Sequence, residues 1–180
     1  MPENAQIAPH GGTLVDLMAA GDAAGSLRAE AANIPSLVVN DRELADLEML
    51  AVGALSPLTG FQGEAEYHAI LDTMHLTNGL ASAIPVTLSV DEDGSHRLGG
   101  AESVALCATE AGEPLAVLRV SEIYRRDKAK EALAVYRTED VEHPGVSALH
   151  DAGDYFVAGE LRVMDLPVHD DFLQYRLTPA

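Results

Sequence analysis

The apolar residues of this chain change their period half-way along it. Between Asp41 and Met74 they recur at helical intervals: Leu44, Leu47, Leu50 and Ala51 form one stripe, and Tyr67, Ile70, Leu71 and Met74 another. From Ile84 onward the spacing turns strand-like, with candidate strands at Ile84–Val90, Ser103–Ala108, Leu115–Val120 and Tyr155–Asp165. Helices first and strands afterwards, with few helices between them, predict an α+β domain. Its sheet should be mixed or largely antiparallel, with a small barrel as one option. A length of 180 residues fits one such domain.

Punctuation residues set the expected boundaries. Pro9-His10-Gly11-Gly12 closes a loose arm over 1–12, and 13–180 reads as the domain. Asp22 is the expected N-cap of a helix over 22–32, and Asp41 that of the helix stopped by Gly53. Ser36–Val39 is a short strand between them. Ser56–Phe61 is a Pro- and Gly-bearing loop, and a third helix covers 64–74. Asp91–Gly94 and Glu110–Pro114 read as turns, Asp127 as the cap of a short helix to about Tyr136, and His143–Val146 as a loop. Gly159 interrupts the last strand pattern and implies a bulge or bend.

Charge excludes several partners. Twenty-nine acidic residues face eleven basic ones, for a net charge of −18, and only Lys128 and Lys130 are lysines. Such a surface repels phosphate backbones and anionic bilayers, so neither nucleic acid nor membrane is an expected partner. No stretch approaches the ~20 apolar residues of a membrane span. The start, Met1-Pro2-Glu3-Asn4, lacks a basic and apolar leader pattern, and the single cysteine, Cys107, excludes a disulfide framework. A cytoplasmic location is the expectation. Cys107 lies between Leu106 and Ala108 and reads as a small buried hydrophobe.

A self-contained active site is not apparent. The sequence has no phosphate-binding Gly-rich loop ending in Lys-Ser/Thr, no nucleophile elbow and no pair of histidines at metal-binding helical spacing. His68 and His75 are seven apart. His143, His150, Asp151 and Asp154 read as a polar loop, and Asp91-Glu92-Asp93-Gly94 misplaces the glycine of a calcium loop. Arg125, Arg126, Lys128 and Lys130 form the one dense basic cluster, suited either to a phosphate or partner carboxylate or to a solvated helix face. No catalytic and no metal-ligating residue is predicted.

One long run carries more information. Arg42-Glu43-Leu44-Ala45-Asp46-Leu47-Glu48-Met49-Leu50-Ala51-Val52-Gly53-Ala54-Leu55-Ser56-Pro57-Leu58-Thr59-Gly60-Phe61 resembles the N-terminal region of the ATP sulfurylase (sulfate adenylyltransferase) family. Pro9-His10-Gly11-Gly12, Ile84-Pro85-Val86-Thr87-Leu88, His143-Pro144-Gly145-Val146 and Tyr175-Arg176-Leu177-Thr178-Pro179 follow the family's order, so the resemblance covers about 9 to 179. Leu55, Gln62, Ser82-Ala83 and Arg137 depart from it, the family usually having Phe, an apolar residue, Trp-Pro and Gly there.

The resemblance implies a PUA-like fold, a mixed-β pseudo-barrel with flanking helices. It also implies a non-catalytic N-terminal domain of an enzyme whose complete form makes adenylyl sulfate and pyrophosphate from ATP and sulfate, in sulfate assimilation. The family's Q-x-R-N and H-x-x-H elements are not in this chain, so no cofactor is expected here and Mg-ATP belongs to the complete enzyme. The implied partner is the catalytic domain, in cis or in trans, and a homo-oligomer is also open. The alternative is a stand-alone interaction or small-ligand-binding module. RNA binding, suggested by the PUA label, is opposed by the −18 charge and the absence of Trp. Within the motif, His10, Arg42, Asp46, Ser56, Pro57, Gly60 and Phe61 are the residues singled out. They serve either as scaffold or as the face that meets the catalytic domain or a neighbouring subunit.

Overall fold

The structure, a computed structural model, describes residues 7–179, so the expectation of a loose arm over 1–6 lies outside the described residues. The elements in chain order are α1 (Gly21–Ala31), β1 (Ser36–Val38), α2 (Asp41–Ala51), β2 (Gly60–Phe61), α3 (Glu64–Thr73), β3 (Ser89–Val90) and α4 (Glu92–Leu98). They continue with β4 (Ser103–Cys107), β5 (Pro114–Arg125), α5 (Lys128–Glu131), α6 (Pro144–Asp151) and β6 (Tyr155–Val163). A π turn, Ala132–Tyr136, extends α5. The strands form one mixed six-stranded sheet in the order β1-β4-β5-β6-β2, with β3 also on β6; β1 runs parallel to β4 and the other pairs are antiparallel. The α+β expectation holds.

β5 and β6 are the spine, paired from Ala116–Val163 to Arg125–Tyr155. Their register slips between Val120 and Glu122, so Ser121 is the extra residue of a bulge opposite Gly159 and Ala158. The sheet is covered on both faces, which is why β4 is buried at all five positions and its sequence does not alternate. On one face Leu47 and Leu50 of α2 pack with Phe61, Leu88, Leu106, Leu118 and Leu161. The other face is shared. Ala31 of α1 lies against Ala105 and Val117, while Tyr67 and Leu71 of α3 lie against Tyr124 and Phe156.

Several boundaries differ from the sequence reading. Helix α2 is capped by Asn40, one residue before Asp41, through a reciprocal capping box in which Asn40 Oδ1 accepts from Glu43 N and Glu43 Oε2 accepts from Asn40 N. Asp22 lies inside the first turn of α1 and makes no cap hydrogen bond. Asp91 opens a helix instead of a turn, its Oδ1 accepting from Gly94 N. His143 likewise caps α6, with Pro144 at the first helical position, where its missing N–H leaves no bond unmade. Met74 ends α3 in the left-handed region and is exposed, so it leaves the stripe, and His75 falls beyond the helix carrying His68. Only Ser89–Val90 of the predicted 84–90 strand pairs; Pro85 to Leu88 are buried as irregular chain.

Candidate functional site

The run from Arg42 to Phe61 is helix α2, a tight connection and strand β2, and two of its polar side chains, Glu43 and Ser56, are buried. Helix α2 needs an N-terminal acceptor and receives it from Asn40. The partner, Glu43, is buried, and its Oε1 accepts from both Ser89 N and Ser89 Oγ at 2.7 Å. One carboxylate therefore closes the helix start and the outer edge of β3. The sequence reading missed Glu43, although Asn40-x-x-Glu43 is a capping-box pattern. Its burial has no sequence signal.

Gly53 ends the helix with φ +81, and a side chain there would meet Leu14 and the Val15 carbonyl. Ser56 is buried; its Oγ donates to Gly53 O at 2.6 Å and accepts from Val15 N at 2.9 Å. A single hydroxyl thus ties the entering chain to the helix stop. Pro57 packs near Gly11, so the His10–Gly12 turn rests on this loop. His10 is exposed, with Nε2 2.9 Å from Ala81 O. Together Pro9, His10, Leu14, Ala54 and Ser56 line a hollow of about 570 Å³. Gly60 crosses Gly159 so closely that a Cβ on either would overlap backbone oxygen, of Gly159 and of Arg119 respectively. Phe61 follows into the core.

Arg42 and Asp46 lie elsewhere. Along α2, Arg42 stands about 14 Å and Asp46 about 8 Å before the helix end at Ala51, at about 1.5 Å per residue. Arg42 is exposed, its Nε 3.8 Å from Asp46 Oδ2. Burial pushes the Asp46 carboxyl above the usual aspartate range, and Arg42 offsets this only in part. The structure therefore brings His10, Ser56 and Pro57 together, sends Gly60 and Phe61 into the sheet, and leaves Arg42 at the far end of the helix with Asp46 at its middle.

Three of the four members of the basic cluster are consumed internally, and Arg125 is exposed. Arg126 is buried against Glu131, Nη2 to Oε1 at 2.8 Å, and its guanidinium carbon lies 4.4 Å from the Phe156 ring centre. Tyr67 Oη donates to Glu131 Oε2 at 3.0 Å. Burial, then the nearby Glu131 charge, drives the Tyr67 phenol well above its ordinary range, so it remains a donor. Lys128 pairs with Asp154 and donates to the His150 and Ala152 carbonyls, and Lys130 pairs with Asp72. Arg126, Lys128 and Lys130 are thus each already matched to a carboxylate. Among the described residues no group of three or more His, Cys, Asp or Glu is placed to hold a metal ion. Cys107 is buried in β4, and burial raises its thiol.

A family model described as a PUA-like domain matches residues 7–166. The chain belongs to the PUA-like domain family. This PUA-like domain is 42% identical over 174 residues to a sulfate adenylyltransferase of Synechococcus sp., covering 97% of the chain and 44% of the relative. It is 38% identical over 174 residues to a probable bifunctional SAT/APS kinase of Sorangium cellulosum, covering 97% of the chain and 30% of that protein. The chain spans less than half the length of these curated relatives. Among solved structures, the hexameric APS kinase from Thiobacillus denitrificans superposes with a TM-score of 0.72 at 30% identity, covering 96% of this PUA-like domain and 30% of that chain.

One departure from the ATP sulfurylase pattern, Gln62, has a structural role, and another, Arg137, stands where glycine would be unstrained. Gln62 Oε1 accepts from Val86 N at 2.7 Å and Gln62 N donates to Val86 O, so the residue stitches β2 to the irregular 85–88 segment. Arg137 stands at φ +60, the left-handed conformation that a glycine adopts without strain. In this PUA-like domain no helix among the described residues is long and apolar enough to cross a membrane.

Proposed function

We propose that this PUA-like domain is the non-catalytic portion of a sulfate adenylyltransferase, the enzyme that joins ATP and sulfate into adenylyl sulfate and pyrophosphate. The observation that carries the reading is the 42% identity sustained over 97% of the chain, against only 44% of the Synechococcus enzyme. The site chemistry supports it. Ser56, Glu43 and Arg126 direct their hydrogen bonds to this domain's own backbone and side chains, as scaffold groups do. The exposed members of the motif, His10 and Arg42, with the hollow beside Ser56, are the part of it proposed to face the catalytic portion, in cis or in a neighbouring subunit.

The test is a chimera. The matching segment of the Synechococcus enzyme is replaced by this chain, and pyrophosphate release from MgATP and sulfate is followed. Turnover in the chimera, with none from the 180-residue chain alone, is expected. A folded but inactive chimera, or turnover by the isolated chain, overturns the reading. Substituting His10 and Arg42 with Ala in the chimera should lower activity or loosen assembly while leaving the isolated domain's melting temperature within about 2 °C.

A further inference from the structure

β1 is an edge strand whose free side is bare. Ala105 N donates to Pro35 O and Val39 N donates to Cys107 O, which fixes the parallel register with β4 and turns the N–H and C=O of Ser36 and Val38 away from it. No residue among those described pairs with these four groups. Val38 is 43% exposed. Alongside runs a groove of about 760 Å³, bounded on its far side by β3. Across it the matching edge position is already taken, since Ser89 N donates to Glu43. The groove is therefore open to a strand on the β1 side only.

Its rim selects the occupant. Asp91, Glu92, Glu110 and Asp151 line it against one cation, Arg97, and all five side chains belong to exposed residues; Asp154, also on the rim, is already paired with Lys128. A second copy of this chain would set two such rims face to face within a −18 protein, which argues against edge-to-edge self-pairing. A short strand bearing lysine or arginine meets both requirements: main-chain groups for Ser36 and Val38, and positive side chains for the carboxylates. We propose that the β1 edge takes an extended, basic peptide segment of a partner protein by strand addition. This inference stands on the edge and its rim, and does not depend on the sulfate adenylyltransferase reading.

The probe is an acetylated, amidated hexapeptide alternating Lys and Val, with a Glu/Val hexapeptide as its counterpart, added to the ¹⁵N-labelled chain at low salt. The expected result is amide-exchange protection at Ser36 and Val38 of about tenfold or more at saturation. Leu37, already bonded to β4, should be unchanged, and binding should weaken as ionic strength rises past about 0.5 M. The Glu/Val peptide should give no protection. Val38→Pro removes one outward donor without touching the β4 ladder, and should abolish binding. Should that variant fail to fold, Glu110→Lys combined with Asp151→Lys is expected to weaken the Lys/Val peptide by roughly tenfold. Unprotected Ser36 and Val38, equal binding of the acidic peptide, or undiminished binding by a folded Val38→Pro or by the double variant would overturn the proposal.

Discussion

The two ends of the sheet are finished in opposite ways. At the β2/β3 end, backbone crosses backbone at Gly60 and Gly159, Glu43 satisfies the outer N–H of Ser89, and Gln62 bonds the neighbouring chain from both its backbone and its side chain. At the β1 end, four backbone groups are left facing a groove. At the first end the Glu43 carboxylate, Gln62 Oε1 and Gln62 N are buried with partners, while Gln62 Nε2 is buried without one, and losing a partner there leaves a further unsatisfied group away from water. The second end holds its polar groups toward solvent, so substitutions there should be nearly silent for stability and visible only in binding. The long motif that resembles the ATP sulfurylase family ends at the closed end, in Gly60 and Phe61 of β2.

The largest effect should come from Gly60→Ala. The added Cβ would overlap the Gly159 carbonyl, and both neighbours are backbone in a paired strand, so neither yields cheaply. A loss of more than about 3 kcal/mol is expected, read as a fall in the urea midpoint. An unchanged midpoint would mean that the two strands are not pinned together at this crossing. Next comes Glu43→Ala, which strips the acceptor from Asn40 N and from Ser89 N and Oγ together. About 2–4 kcal/mol should be lost, more than a cap alone contributes. Glu43→Gln, which keeps one carbonyl acceptor, should recover part of it.

Glu43 also shows where sequence reading stops. The α2 stripe was legible because Leu47, Leu50 and Ala51 repeat at helical spacing, and the structure buries all three. A glutamate at the third helical position is an ordinary exposed residue by pattern, and only the arrival of β3 from 46 residues away makes it a buried staple. Asn40, Asp91 and His143 were missed or misread for a related reason: the same side chains favour turns and helix caps, and the residues downstream of each decide between the two. The basic cluster looked free in sequence because Asp72 and Asp154, which neutralise Lys130 and Lys128, are remote from it. Of the motif residues, the inward role of Phe61 was readable; Gly60, read as a turn glycine, has no positive φ and is required instead by the close approach of the Gly159 backbone. The separation of Arg42 from His10 by the length of α2 was not. The β1 edge was readable as a strand, but its openness is a property of the sheet order.

Ser56→Ala sharpens the contrast at an intermediate scale. The buried hydroxyl bridges Val15 N and Gly53 O, and its removal should cost about 1–3 kcal/mol by the same denaturation assay. Val38→Thr, at the open edge, keeps the branched shape and the backbone and should fall within about 0.5 kcal/mol of the parent. Equal losses from the two would erase the distinction between the ends.

The smallest effect is a pH-dependent one at Asp46. Burial is the dominant influence on this carboxyl and raises its folded pKa; the Arg42 charge opposes it and the Glu43 charge adds to it. A carboxyl raised in the folded state holds its proton longer there than in the unfolded chain, whose value is near 3.9. Stability from this group is therefore fully present below about pH 3.9 and declines as pH rises through the raised folded value, after which the deficit is constant. Asp46→Asn removes that deficit together with the Arg42 contact, which as a half-exposed pair contributes about 0.5 kcal/mol or less. The variant's stability relative to the parent should rise as pH climbs past about 3.9 and level off once the raised folded value is passed. A relative stability that falls over the same interval would show that the Arg42 ion pair outweighs burial, and would make the far end of α2 an electrostatic contact in its own right.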